Sequence, residues 1–305
     1  MTWQNYSSAA GKTFLITGAS AGIGYFVAEQ LAASGATVVL GCRDTAKADL
    51  AARTIAARVP DARLRSVRLD LADLASLPVA VADLGVDRLD AVVLNAGVLL
   101  AGADRRCTAR GHELMFATNH LGHFALVGHL APVLAATENS RVVTVGSFAV
   151  RSERLDLSDL QSEHDYRPKR TYARSKLAQM LFGFELDRRL RARGATTASI
   201  VVHPGGALDS LTPSRPPLFT RTTAQHLRGL PASLLLHGKH VGAEPIVRAV
   251  LDTEISSGQL WGPRVFGLRG RPRRETPHAH MADPDTAARL WVASSALTGV
   301  DVSPR

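Results

Sequence analysis

Cysteine is nearly absent: Cys42 and Cys107 are the only two in the chain. They make no disulfide framework, and the expectation is a reducing, cytoplasmic setting. Lysine is almost as scarce. Only Lys12, Lys47, Lys169, Lys176 and Lys239 are lysine among 36 basic residues; the rest are arginine. Aromatics make up 5%, and the basic residues behind the net charge of +9 are mostly scattered. That is not the clustered, aromatic-interleaved pattern of a nucleic-acid binder, so no nucleic-acid partner is expected. No run reaches the roughly 18 uninterrupted apolar residues a bilayer-crossing helix needs, so no integral membrane span is expected. The opening MTWQNYSSAAGKT has no basic start followed by an apolar run, and no secretory signal is expected.

Two basic runs are dense. Arg188-Arg189-Leu190-Arg191-Ala192-Arg193 suits the end of a helix, where cations complement the macrodipole. Residues 269–274 read as a Gly/Pro-rich loop. Eleven histidines raise the question of a metal. His120 and His123 lie at i,i+3 and His278/His280 lie close in a loop, but no cysteine or carboxylate cluster completes a zinc set, so no metal is expected. His203 reads as a structural residue before a Pro-Gly turn.

With 46% apolar and 21% charged residues, the 305-residue chain has the composition of a folded globular protein. Short β-rich runs at 12–17, 37–41, 64–69, 89–94, 141–146 and 198–202 alternate with helical patterns at 22–34, 45–59, 72–83, 109–136 and 171–193. Several runs are almost continuously apolar, as strands covered on both faces are. The alternation predicts an α/β fold, a doubly wound parallel sheet of the Rossmann kind, in a single domain. Past residue 202 the pattern breaks. Residues 204–240 carry five prolines and many leucines, too long for a simple connection, and a substrate lid is expected there. A helix near 241–251, a strand near 258–262 and a helix near 285–295 follow, the last two within a C-terminal extension at about 258–305.

Thr17-Gly18-Ala19-Ser20-Ala21-Gly22-Ile23-Gly24 directly follows the first strand and opens the first helix. In a doubly wound fold that is where a dinucleotide binds: glycine lets the backbone approach a pyrophosphate, and the helix start offers free N–H groups. Gly18, Ser20, Ala21, Gly22, Ile23 and Gly24 are therefore cofactor candidates. At the end of strand two, Arg43 lies nearer the adenosine ribose than Asp44, which favours NADP(H), with NAD(H) the alternative. Asp70, with Leu71 beside it, and Asn95-Ala96-Gly97 stand at further strand ends facing the same crevice; each reads equally as a turn.

Tyr172 and Lys176 are four apart, so a helix puts both on one face. Shuffled chains of this composition would contain such a pair in only about 7% of cases. A nearby ammonium lowers a phenol's pKa, and in an arginine-rich chain a lysine suggests a compact, steerable charge. Ser147, at the end of strand five, could hold a carbonyl oxygen. Asn119 lies in the long helix before it.

Residues 17–24, Asn95-Ala96-Gly97, Asn119, Ser147, Tyr172/Lys176 and Pro204-Gly205 occur in the order found in short-chain dehydrogenases/reductases, which the chain resembles over residues 10–300. The NHLGHF stretch beginning at Asn119 and the tail ARLW…LTGV look most like the retinol-dehydrogenase and protochlorophyllide-reductase-like branch. The resemblance implies Tyr172 as general acid in reduction and base in oxidation. It implies Lys176 as the group that lowers the phenol pKa and holds the nicotinamide ribose, Ser147 as the polariser of the substrate oxygen, and Asn119 as support for a water-borne proton relay. Pro204 and Gly205 join the cofactor candidates. The substrate class would be a small apolar carbonyl or alcohol. A cofactor-binding regulatory protein without turnover, or a C=C reductase or epimerase on the same scaffold, are the alternatives. Two departures stand out. Gly146 replaces the serine many relatives have before the catalytic one. Asp209 falls where relatives often have a threonine on the nicotinamide carboxamide, leaving that contact to Asp209 or Ser210. Relatives often pair through two long helices, which implies a homodimer or homotetramer, though this branch includes monomers.

Overall fold

The computed structural model describes residues 9–302. Its first part runs β1 (Thr13–Thr17), α1 (Gly22–Ala33), β2 (Thr37–Cys42), α2 (Thr45–Ala56), β3 (Arg63–Arg68), α3 (Leu77–Ala82) and β4 (Ala91–Leu94). A short α4 (Leu114–Phe116) leads through a π-helical turn, Ala117–Leu121, into α5 (Gly122–Ala136). Then come β5 (Arg141–Val145), α6 (Pro168–Ala192) and β6 (Ala198–Val202). The remainder is β7 (Ala207–Leu208), α7 (Thr223–Gly229), β8 (His237–Gly238), α8 (Lys239–Gly242), α9 (Glu244–Leu251), β9 (Leu260–Val265), β10 (Arg269–Glu275) and α10 (Pro284–Thr298).

Eight strands form one sheet in the order β10-β9-β6-β5-β4-β1-β2-β3. All are parallel except β10, which runs antiparallel to β9. β7 and β8 pair separately. Direction along the sheet reverses between β1 and β4, so the loops leaving those strands diverge and open a crevice at their carboxyl ends. The apolar runs follow from this layering. Phe14, Ile16, Val38, Leu40 and Val143 face Phe26, Leu31, Ile55 and Ile246 on one side. Leu15, Val39, Val92, Leu94 and Val142 face Leu77, Phe124, Leu130 and Phe182 on the other. Each such buried side chain contributes about 1.5–3 kcal/mol.

The helix expected over 109–136 starts later, at Leu114. Glu113 is fully buried and its carboxylate accepts the Met115 and Phe116 amides at 2.9 and 2.6 Å, which nucleates the helix there. Burial pushes this carboxyl above its ordinary range, against the lowering effect of those amide bonds. The pattern at 72–83 divides into a 3-10 turn and α3. Residues 269–274 are a strand, not the loop expected. Pro272 is tolerated because β10 is the sheet's edge, and its arginines hide the period-two signal because neither face is apolar.

Every residue of α6 from Ala173 to Asp187 is buried. A surface helix keeps a wet stripe; α6 lacks one there because α10 covers it from outside. The Trp291 ring stacks on Phe182 with centroids 5.6 Å apart and meets Phe124 edge-on at 5.2 Å.

Candidate active site

The glycine-rich turn is shaped by close approach. Gly18 has φ +68°, and a Cβ there would stand 2.9 Å from Ala96 Cα. A Cβ on Gly24 would collide with Asn95 Nδ2 and the Gly18 carbonyl. Asn95 itself ties the turn down: its Nδ2 donates to Thr17 O at 2.9 Å. Ala21 is the extended N-cap of α1, with no side chain capping the helix and no acidic residue in its first turn. The exposed first amides are thus left to an outside anion, and the turn fits a dinucleotide pyrophosphate. Ser20, Gly22 and Ile23 are half-buried along the same rim.

Beneath the turn, the Thr17 hydroxyl accepts the Asn95 and Ala96 amides, each at 2.9 Å. It also lies 2.9 Å from His123 Nε2. His123 Nδ1 reaches Asn119 O at 3.2 Å and Gln179 Nε2 at 3.1 Å. This buried network joins β1, β4, α5 and α6. Burial lowers both His120 and His123 to about 3, so both imidazoles are neutral. His120 spends Nε2 on Ser294 Oγ at 2.7 Å. No group of three or more His, Cys, Asp or Glu among the described residues could hold a metal.

Tyr172 and Lys176 lie on α6 and Ser147 caps the turn after β5. The Tyr172 phenol lies near the Ser147 side chain, which favours its ionised form. Ser147 Oγ accepts the Ala149 amide at 3.2 Å, which fixes its rotamer. Lys176 is buried, its Nζ donating to Val145 O at 2.6 Å. Burial lowers it to about 8, so most of it is still an ammonium at neutral pH. The sequence suggested a phenol lowered by that ammonium. Here the dominant effect on Tyr172 is burial, which raises it, with nearby Ser147 opposing. Desolvation of a half-buried ring outweighs a lysine whose proton is directed at the Val145 carbonyl.

Asn119 sits in the π-helical turn. Its Oδ1 accepts the Val98 amide at 2.7 Å, and its Nδ2 donates to Val98 O at 3.1 Å and Ser175 Oγ at 2.8 Å. Ser175 in turn donates to Tyr172 O at 2.7 Å. Asn119 thus anchors the loop after Gly97 to the helix of Tyr172. A Cβ on Gly97 would lie 3.3 Å from Asn119 Oδ1 and 3.7 Å from Lys176 Nζ, which places all three side by side.

The outer candidates do not join this cluster. Asp44 caps α2, accepting the Lys47 amide at 3.1 Å, which holds its carboxyl below the usual range. Arg43 beside it is exposed. Asp70 accepts the Ala72 amide at 3.0 Å. The Leu71 side chain is in the core, so only its backbone is open to a ligand. Pro204-Gly205 turns out of β6, with Pro204 O accepting from His237 Nε2 at 2.8 Å. His203 before it is buried, 3.3 Å from Glu275. Asp209 is engaged by Lys239 at 2.5 Å, and Ser210 packs on Gly229. Thr17, His123, Ser175 and Gln179 went unassigned in the sequence. Their only local signals are Ser175 three residues after Tyr172 and His123 four after Asn119.

Comparison with known proteins agrees with this arrangement. Residues 12–158 match the family model for short chain dehydrogenase. The chain is 33% identical to human retinol dehydrogenase 13 over 301 residues, covering 95% of this chain and 86% of that one. It is 40% identical to human retinol dehydrogenase 11 over 297 residues, covering 96% and 87%. A crystal structure of an uncharacterized protein from Mycobacterium paratuberculosis superposes with a TM-score of 0.80 and 33% identity, covering 99% of this chain and 98% of the other. A short chain dehydrogenase from Burkholderia cenocepacia J2315, solved with NADP, shares the fold at a TM-score of 0.62 and 23% identity, covering 87% and 98%. The chain belongs to the short-chain dehydrogenase family and is an NAD(P)-dependent oxidoreductase of the alcohol/carbonyl type. Within that family it falls in the retinol-dehydrogenase-like branch.

Proposed function

We propose that this chain is an NADP(H)-dependent reductase/dehydrogenase of apolar carbonyls and alcohols, with Tyr172 as general acid/base. The observation that carries this is the grouping of Tyr172 near Ser147 with buried Lys176 one turn along the same helix, beside Asn119 and Gly97. When bound, the nicotinamide supplies or accepts the hydride. In reduction the Tyr172 hydroxyl gives its proton to the carbonyl oxygen, while Ser147 donates to the same oxygen and holds it in place. In oxidation the proton moves back. The Lys176 ammonium favours the phenolate left behind. Gly18, Ser20, Ala21, Gly22, Ile23 and Gly24 would hold the pyrophosphate. Asn95, Ala96, Gly97, Pro204 and Gly205 would border the nicotinamide half, and Asp70 and the Leu71 backbone the adenine.

The choice of NADP(H) rests on Arg43, exposed and in no ion pair among the described residues, beside an Asp44 already committed to its helix cap. An apolar substrate is supported by the leucines and the phenylalanine of residues 204–240. The names of relatives agree, mouse polyprenol dehydrogenase among them, at 34% identity over 95% of this chain and 84% of that one. A cytoplasmic setting belongs to the same proposal and is supported by the free thiols of Cys42 and Cys107. The test follows NADPH absorbance over a panel of apolar aldehydes and ketones. Tyr172→Phe should cut kcat by about 10²–10⁴-fold with its cofactor affinity kept; full turnover in that variant would sink the reading.

A further inference from the structure

The lid and the β9–β10 turn expose apolar side chains that no internal packing explains. Leu227, Leu230, Leu234 and Leu235 are 58, 43, 76 and 54% exposed on the lid, and Val265 and Phe266 are 40 and 74% exposed at the hairpin turn. The two segments are joined: Arg269 donates to the Ser233 carbonyl, and Leu236 and Leu268 both pack against Gly206. Phe266 adopts φ +52°, a left-handed backbone that is costly for a bulky residue, and that conformation presents its ring at the tip. Its carbonyl is held by Arg151 at 3.4 Å.

Basic residues flank these apolar groups along the chain: Arg228 follows Leu227 and Arg264 precedes Val265. Residues 204–275, from the lid through β10, hold ten basic and five acidic residues. Arg228, Arg264, Arg271 and Arg274 are exposed and form no ion pair among the described residues. A second copy on this face would bring arginine against arginine, so self-association is disfavoured. Leucines and a phenylalanine among unpaired guanidinium groups complement a layer that is apolar within and anionic at its rim.

We infer that the face formed by the lid and the β9–β10 hairpin seats this protein on an anionic lipid surface. Seating does not depend on the hydride chemistry. That apolar substrate enters from the bilayer does rest on the proposed function, because the face adjoins the Pro204-Gly205 turn at the mouth of the crevice.

The full chain is sedimented with vesicles of phosphatidylcholine alone or mixed with phosphatidylglycerol. Binding should appear with the mixed vesicles, be slight with phosphatidylcholine alone, and fall as salt rises. Phe266→Ser/Leu234→Ser should weaken it about tenfold. Arg264→Gln/Arg271→Gln should do the same on mixed vesicles. A thermal melt checks that each variant is folded. Absence of binding to mixed vesicles overturns the inference. So does undiminished binding by the folded Phe266→Ser/Leu234→Ser variant, or a wild-type dimer that this variant dissociates. None of these readouts uses turnover, so the inference can fail while the oxidoreductase reading stands.

Discussion

His123 Nε2 and Thr17 Oγ1 lie 2.9 Å apart, and both residues are fully buried. The Thr17 hydroxyl carries the Asn95 and Ala96 amides, and His123 also reaches Asn119 and Gln179. One neutral imidazole thus couples the floor of the glycine-rich turn to the helices bearing Asn119 and Lys176. His123→Ala should lower stability by about 2–3 kcal/mol, from lost hydrogen bonds and a cavity. It should also weaken NADPH binding, because the Asn95-Ala96 turn loosens. Urea unfolding and cofactor titration measure the two effects; intact cofactor affinity would reject the coupling.

The same burial makes a pH prediction. His120 and His123 sit at about 3 when folded, below their ordinary 6.5. Between those limits the unfolded chain binds protons that the folded chain refuses. Stability is therefore full above about pH 6.5 and declines as pH falls towards about 3, by at most about 1.4 kcal/mol per histidine per pH unit. Urea midpoints at stepped pH should show this slope, and His123→Asn should flatten it.

Lys176 titrates at about 8 and Tyr172 above its ordinary 10. In reduction the phenol stays protonated across the working range, so it sets no limit near neutrality. The positive charge does: kcat/KM for reduction should be level below neutrality and fall as pH rises through about 8. Lys176→Arg keeps its proton and should remove that alkaline limb while lowering the plateau. A limb unchanged in this variant would assign it to another group.

Arg43 is the only element of the cofactor choice that can be changed without touching a hydrogen bond. Arg43→Gln should raise the KM for NADPH by about 10–100-fold, the worth of one charge-assisted contact, and leave that for NADH alone. Parallel kinetics with the two cofactors decide it.

α10 packs on α6, one of the long helices through which the resemblance implied pairing. The full chain should therefore sediment as a monomer, and Trp291→Ala should cost about 3–5 kcal/mol by removing the ring stacked on Phe182 and edge-on to Phe124. A wild-type dimer through α5 and α6 in analytical ultracentrifugation would refute this.

Much of the site was legible because its signals are local. The glycine turn is recognised by its place between β1 and α1. Tyr172 and Lys176 are recognised by one turn of helix. Less legible were features set by distant partners. Ser175 meets Asn119 from 56 residues away, and His123 meets Thr17 from 106. β10 carries no apolar alternation because it borders the sheet. Asp44, read from the sequence as farther from the ribose than Arg43, is a local cap of α2 on the Lys47 amide.

The sequence alone determined the layered α/β architecture, the place of the glycine-rich turn and the Tyr172/Lys176 pair, since period-two and period-3.6 patterns follow from backbone geometry and burial. Tertiary structure decided which groups touch. It brought Ser147 near Tyr172, set α10 over α6 and left Leu227, Leu230, Leu234 and Leu235 facing outward. Those outcomes depend on packing between segments far apart in the chain, and no local pattern encodes the distance between them.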